Sequence, residues 1–394
     1  MRFFLYGYYG QGNLGDDLLL RACVLGIVGV CPDARFVVRA GKSATGLDTL
    51  CVPFEVAEID EILADQSRSK IGRLISALAA YRRYLRNCDW FIFGGGTLFH
   101  ERSSPQPLIL IFLVCLVARL IGVRVAALGV GVGELRSTMA RWAMGGVVWI
   151  SDVFTVRDGA ALEQCRRAGV ENQVVLTGDL VYLLAAQLHP AVAGKQPVTR
   201  PARIGISIYP PALIYQHERT ETFHAMRGTL AALVRRGCSV RLLAFHSPFV
   251  PEAGEGDAQV LEELAKSIAC AATVRPGVTS VAADSASIVN TFESIDLHCG
   301  MRYHGHVLAA LFGLPFVGVA ADNKIDAVCE LFEMPVMKSE TATTDNILKS
   351  IDLALMRSPD REILEGRKHA AEQNFILLAD AMRRRASLRL RSER

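Results

Sequence analysis

The densest group of chemically versatile side chains in the sequence is Asp296-Leu297-His298-Cys299-Gly300-Met301-Arg302-Tyr303-His304-Gly305-His306. One arginine and three histidines fall within nine residues, in a pattern that reads as a strand, a glycine turn and a helix that stays apolar through Leu311. Three imidazoles would suit a metal ion, but Asp296 lies back within the strand and no tetrahedral ligand set is spelled out, so no metal is expected. His298 suits a hydrogen-bonded place in the core. Arg302 and His304 stand at the turn where the helix begins, a better position for an anionic ligand. A helix N-terminus presents unpaired N–H groups, and imidazole titrates near neutral pH.

Three glycine-rich turns accompany this cluster. Gly10-Gln11-Gly12-Asn13-Leu14-Gly15-Asp16-Asp17 opens onto an apolar helix, as phosphate loops do. A carboxylate there competes with a phosphate, so one of the two aspartates is expected to cap the helix, with a sugar-hydroxyl or general-base role open to Asp16. Phe93-Gly94-Gly95-Gly96-Thr97-Leu98-Phe99 bares a stretch of backbone amides that an anion or a sugar ring can approach; a tight turn with no ligand is the alternative. Gly129-Val130-Gly131-Val132-Gly133 repeats the arrangement after another strand.

Two further cations stand at strand ends. Arg157 closes the strand Val153–Val156, where α/β sheets bind ligands. Its alternative is an ion pair with Asp158, although adjacent residues rarely face each other on an extended chain. Lys324 ends the loop after Phe316–Val319. A surface lysine is the default there, yet the loop belongs to the same sheet edge.

These residues need a scaffold, and the rest of the chain supplies one. Short β-rich runs at Phe3–Tyr6, Arg35–Arg39, Trp90–Phe93, Val123–Gly129, Val153–Val156 and Val174–Leu176 alternate with longer helical ones, which predicts parallel α/β layers. His189–Pro201 is rich in proline and glycine and has no periodicity, so it reads as a linker. Strands resume at Ile204–Ile208, Val240–Phe245, Thr273–Arg275, Ile295–His298 and Phe316–Val319, with helices such as Glu221–Arg236 and Val260–Ala269 between them. The expected organisation is a Rossmann-like domain over 1–188, a linker over 189–201, a second Rossmann-like domain over 202–360, and a C-terminal helix with a basic tail over 361–394. Two such lobes would hold a ligand in a central cleft.

Composition narrows the function classes. With 51% hydrophobic and 21% charged residues, 394 residues can bury a large core, and the net charge of +3 is too small for a general nucleic-acid binder. The ten cysteines are scattered without a C-x-x-C pair, as in a reduced, cytoplasmic protein. Met1 to Gly7 reaches glycine too soon for a secretory signal and reads as a first strand. The apolar run Leu108–Ala118 is shorter than the ~20 residues that span a bilayer and reads as a buried helix. The tail from Arg383 to Arg394 carries six arginines against one glutamate, which fits a solvated helix end or a hold on an anionic membrane surface.

Taken together, Gly-Asn-Leu-Gly-Asp (12–16), Phe-Gly-Gly-Gly-Thr-Leu-Phe (93–99), Thr-Val-Arg-Asp (155–158), Thr-Gly-Asp (177–179) and Met-Arg-Tyr-His (301–304) resemble the polysaccharide pyruvyl transferase family. The resemblance runs from Gly7 to about Lys324. It implies a two-lobed fold similar to the B-type glycosyltransferases, phosphoenolpyruvate as co-substrate without a further cofactor, and a ketal-linked pyruvate on a sugar of a cell-surface polysaccharide or its lipid-linked precursor. By position it implies that Arg157, Arg302 and Lys324 bind the donor and that His304, Arg302 and Asp16 are catalytic. Asn13, Gly95, Gly96 and Thr97 then fall on the acceptor side or its loops. Where the family often has an aromatic residue and a proline around the aspartate of the last loop, this chain has Ala321 and Asn323.

The charges agree with the resemblance. Phosphoenolpyruvate carries a phosphate and a carboxylate, and the arginine fork suits both. Protonation of the terminal methylene would let a sugar hydroxyl add at the central carbon, and a second hydroxyl would displace phosphate. Imidazolium beside an anion is the natural acid, which points to His304. The competing readings are a nucleotide-sugar glycosyltransferase on the same fold, for which Glu255 and Glu263 stand in a Glu-x₇-Glu spacing, and an idle carbohydrate-binding protein. The expected partners are phosphoenolpyruvate, a sugar or lipid-linked oligosaccharide acceptor and, peripherally, the inner face of the cytoplasmic membrane.

Overall fold

A computed structural model of the chain describes residues 1–40, 52–67, 69–101, 104–188, 202–209, 218–246, 256–268 and 277–392. Among them the chain divides into two compact units. The first comprises Met1–Gln11, Asp16–Leu184 and the chain from Arg367 onward, and the second Gly12–Gly15 and Ala185–Gly366.

The first unit is built on β1 (Arg2–Tyr9), β2 (Arg35–Ala40), β3 (Phe54–Ala57), β4 (Trp90–Gly94), β5 (Thr97–Phe99), β6 (Arg124–Val132), β7 (Val153–Val156) and β8 (Val175–Leu176). The strands are parallel and lie in the order β3-β2-β1-β4-β6-β7-β8, with β5 on β6. Successive side chains of β1 and β4 point to opposite faces, and both faces are buried: Phe4 and Tyr6 pair with Phe91 and Phe93, while Phe3 and Leu5 pair with Trp90 and Ile92. Strands covered on both sides read as continuous apolar runs, which is why they are visible in the sequence.

Helices Lys70–Leu85, Gln106–Leu120, Thr138–Ile150 and Gly159–Arg167 share one buried cluster with Phe4, Tyr6, Phe91 and Phe93. The helix that turns the Leu108–Ala118 run into Gln106–Leu120 buries Leu108, Ile111, Val114, Cys115 and Ala118, the i, i+3, i+4 pattern of one helix face. No helix among the described residues is long and apolar enough to cross a membrane.

In the second unit β9 (Arg203–Ser207), β10 (Ser239–Ala244), β11 (Gly277–Ser280), β12 (Leu297–Gly300), β13 (Phe316–Ala320) and β14 (Val336–Lys338) form a parallel sheet in the order β11-β10-β9-β12-β13-β14. Both sheets thus have Rossmann strand order, and each has a switch point: between β1 and β4 in the first, between β9 and β12 in the second. Helices Glu218–Arg235, Asp257–Ile268 and Thr344–Ala354 share the core cluster of one face with β9 and β12.

The long helix Arg361–Ser392 begins in the second unit and continues into the first. The four short strands β3, β5, β11 and β14 were not expected from the sequence, being three or four residues long without strong alternation. The expected strand Thr273–Arg275 and the expected linker His189–Pro201 lie outside the described residues.

Candidate active site

At the carboxyl edge of the first sheet, the turn after β4 depends on glycine. Gly95 (φ 80°) and Gly96 (φ 78°) are both left-handed, a conformation that strains any side chain. A Cβ on Gly96 would lie 3.3 Å from Asp16 Oδ1, so the Asp16 carboxylate runs beside bare backbone. Asp17 does something else: it accepts the Gly10 N–H at 2.7 Å and closes the turn after β1. Burial pushes its carboxyl up to about 6 against the opposing pull of that N–H. The expected cap is corrected here. The helix starts at Leu14, and Asn13 caps it by accepting the Gly15 N–H at 3.1 Å, which leaves both aspartates inside the first turn.

Arg157 is buried at the end of β7. It donates from Nη1 to Asp179 Oδ2 at 2.8 Å, from Nη2 to Thr97 Oγ1 at 3.2 Å and from Nε to Asp158 Oδ2 at 3.2 Å. Neighbours along the chain face each other here because Asp158 leaves the strand to cap helix Gly159–Arg167, and the long arginine side chain folds back to it. A Cβ on Gly131 would come within 2.8 Å of Thr97 Oγ1 and 3.2 Å of Arg157 Nη2. Gly178 is equally constrained, since a Cβ there would meet Ala371 N of the C-terminal helix at 2.8 Å. From that helix the buried Asn374 accepts the Thr177 hydroxyl at 2.8 Å and also the Thr155 hydroxyl, and donates to Gly178 O at 3.2 Å. The glycines of these two segments therefore serve close backbone packing around the Arg157–Asp179 pair.

In the second unit the chain leaving β12 reaches Arg302, in the N-cap place of helix Tyr303–Leu311. Asp257 takes its guanidinium edge-on: Nε donates to Oδ2 at 2.9 Å and Nη2 to Oδ1. Asp257 is fully buried and also accepts the N–H groups of Phe245 (3.0 Å) and His246 (3.1 Å) at the end of β10. Arg302 Cζ stacks over the Tyr209 ring at 4.7 Å. A planar cation held by a carboxylate and a ring has a fixed orientation, and this pair leaves Nη1 out. His246 beside it is held below its usual range by burial and then by the Arg302 charge, against Asp257.

His304 lies against the loop that follows β1. A Cβ on Gly15 would sit 1.9 Å from His304 Nδ1, so only glycine admits the ring. The loop is tied to this unit through the Leu14 N–H, which donates to Phe245 O at 2.9 Å, and through an antiparallel bridge between Asn13 and His246.

The other two imidazoles of the cluster are core groups. His306 Nε2 lies 3.1 Å from Gly300 O, which can only accept, so Nε2 carries the proton and Nδ1 accepts. His298 Nδ1, 3.2 Å away, then donates to it, and His298 Nε2 accepts the Ser207 hydroxyl at 3.0 Å. Burial holds both neutral, pushing His306 down to about 4 and His298 well below its usual range. Among the described residues no group of histidine, cysteine, aspartate and glutamate has the arrangement to hold a metal ion.

A family model described as polysaccharide pyruvyl transferase matches residues 13–323, from the Gly12–Gly15 loop to the start of the helix after β13. The chain belongs to the polysaccharide pyruvyl transferase family. No curated protein matches it in sequence. Among solved structures it resembles UDP-GlcNAc 2-epimerase from Methanocaldococcus jannaschii, at 11% identity over 96% of this chain and 99% of that one, with a TM-score of 0.64. It also resembles the UDP-GlcNAc 2-epimerase from Neisseria meningitidis (10%, 98% and 100%, TM-score 0.59) and a glycosyltransferase from Rickettsia africae ESF-5 (10%, 98% and 97%, TM-score 0.54). At such identities the likeness establishes the fold, which is that of the B-type glycosyltransferases.

Within this family member, the residues singled out from the sequence fall into two groups. Asp16, Gly95, Gly96, Thr97 and Arg157 gather at the edge of the first sheet. Asn13, Arg302 and His304 gather at the edge of the second; Lys324, expected at the end of a loop, stands instead in the first turn of helix Asn323–Leu331 after β13, because Asp322 caps the helix just before it. Lys324 Nζ lies 3.6 Å from Asp322, whose side chain caps helix Asn323–Leu331. Of the Glu255/Glu263 spacing, Glu255 lies outside the described residues and Glu263 is exposed on helix Asp257–Ile268. Sequence reasoning missed Asp257, Tyr209, His246 and Asn374, which are far in sequence from the groups they hold; no motif marks them.

Proposed function

We propose that this family member transfers the pyruvyl group of phosphoenolpyruvate to two hydroxyls of a sugar, closing a cyclic ketal and releasing phosphate. The observation that carries this reading is Arg302, fixed by buried Asp257 at the N-terminus of the helix that bears His304. Arg302 and the helix N-terminus supply positive potential for the donor's anions, and Lys324 adds a second cation. Arg157, expected to bind the donor, is assigned a different part here: its fork is engaged by Asp179, Asp158 and Thr97, and it shapes the Thr97 loop.

His304, as imidazolium, gives a proton to the methylene carbon, and the double-bond electrons form that new C–H bond. The central carbon becomes electrophilic, a first sugar hydroxyl adds, and its proton restores the charge on the acid. The second hydroxyl then displaces phosphate, and its proton leaves with the phosphate. Asp16, Gly95, Gly96 and Thr97 are proposed as acceptor-side groups of the first unit, and Asn13 as the loop residue that keeps Gly15 under His304.

The test is incubation with phosphoenolpyruvate and a set of lipid- or nucleotide-linked sugars, following phosphate release and product mass together. The proposal expects one phosphate released per pyruvyl group gained. Sugar transfer from a nucleotide-sugar without phosphoenolpyruvate would replace it with a glycosyltransferase reading.

A further inference from the structure

Three neighbouring helices of the first unit, Lys70–Leu85, Gln106–Leu120 and Thr138–Ile150, bury one side against the sheet and expose an apolar opposite side. On the second helix Phe112, Leu116 and Leu120 form an i, i+4, i+8 stripe. On the third Met139, Trp142, Gly146 and Trp149 follow an i, i+3, i+7, i+10 stripe. The stripes join where the Phe112 and Trp142 rings meet edge-on at 4.9 Å, an approach that Gly146 permits, since a Cβ there would meet Phe112 at 2.4 Å. Trp149 is 78% exposed, Leu120 77% and Ile71, on the first helix, 71%. Large apolar side chains this exposed on neighbouring helices mark an interaction surface.

Charge identifies the partner. The three helices carry Lys70, Arg73, Arg82, Arg83, Arg119 and Arg141 and not one aspartate or glutamate. Of the carboxylates in the flanking loops, Glu134 pairs with Arg136 and Asp152 with both Arg124 and Arg119, which leaves the cations of the first helix and Arg141 outside these pairs. A second copy of the chain seated here would set arginine against arginine across a twofold axis. Exposed tryptophans on neighbouring helices whose charged residues are all cations suit the interface of an anionic bilayer, where indole rings sit at headgroup level and basic side chains meet lipid phosphates. We propose that this face docks on an anionic lipid bilayer with Trp142 and Trp149 inserted into the headgroup layer. No helix among the described residues can span, so the contact is peripheral.

The test is sedimentation of the full chain with vesicles of phosphatidylglycerol and phosphatidylcholine, against phosphatidylcholine alone. Of the three tryptophans Trp90 is buried, so a blue shift of the emission on mixing reports Trp142 and Trp149. The proposal expects binding to the anionic vesicles only, weakened by salt, with the blue shift. Trp142→Ala with Trp149→Ala should weaken binding on the order of tenfold or more, and Arg82→Glu with Arg83→Glu should do so on the order of tenfold, both with unchanged melting temperature. Wild-type protein that stays in the supernatant would overturn it, as would folded tryptophan variants that sediment like wild type. Concentration-dependent self-association abolished by the tryptophan variants, without vesicle binding, would assign the face to a second copy instead.

Discussion

Arg302 is oriented by Asp257, a fully buried carboxylate that also holds the backbone N–H groups of Phe245 and His246. One side chain thus ties the end of β10 to the cation after β12. Asp257→Asn keeps an acceptor oxygen but removes the charge and the bidentate fit. It should raise the KM for phosphoenolpyruvate about tenfold or more and cost about 3 kcal/mol of stability. Steady-state kinetics and urea denaturation on the same preparation measure both; an unchanged KM would take donor binding away from Arg302.

Gly15→Ala should disable the acid without unfolding the protein. The new methyl would land 1.9 Å from His304 Nδ1, so the ring has to move, and a displacement of about 1 Å at a reacting group costs on the order of a hundredfold in turnover. Gly15 lies within helix Leu14–Val30 without a positive φ, so the helix backbone itself accepts alanine, and the melting temperature should fall only by the cost of displacing the ring, about 1–3 kcal/mol in stability, with the protein still folded. Equal turnover by wild type and variant would show that the His304 position is not critical.

Most strands that carry the site could be read from the sequence because parallel strands buried on both faces are continuous apolar runs; β1, β4 and β6 follow that rule, while β12 holds the hydrogen-bonded His298 in its middle. Arg302 and His304 were legible because they share one turn. Asp257 and Asn374 were not, because their partners lie 45 and 197–219 residues away in sequence, and a contact of that kind leaves no local pattern. The expected helix cap was misplaced by the same locality: Asp16 and Asp17 are good capping residues, yet the helix starts before them, where Asn13 takes the Gly15 N–H.

The His298–His306 pair makes the second unit acid-sensitive. Both rings are buried neutral in the folded state, and an unfolded histidine gains its proton near 6.5. A base with a lowered folded pKa contributes stability that is present above 6.5 and lost as pH falls toward the His306 value of about 4. Thermal melts across that window should show a loss approaching about 3 kcal/mol for His306 alone. Hydrogen exchange of helix Tyr303–Leu311 should rise in the same window; a flat profile would contradict neutral burial.

Asp17 behaves with the opposite sign. Its folded carboxyl titrates at about 6 against an ordinary 3.8, so stability present below 3.8 is lost as pH rises through 6. Asp17→Asn retains an oxygen for the Gly10 N–H and removes the titration. The variant should melt higher than wild type at pH 7, by about 1–3 kcal/mol in stability, and the two should converge in acid. A lower melting temperature at neutral pH would mean that the carboxylate is stabilised by its surroundings.

The central claim is that His304 protonates the donor. The most direct measurement is phosphate release from phosphoenolpyruvate by the His304→Ala variant with a competent acceptor, alongside its donor affinity by calorimetry. The account predicts a fall in turnover on the order of a hundredfold or more with donor affinity largely kept, because Arg302 and Lys324 are untouched. A His304→Ala enzyme running at close to the wild-type rate would contradict it.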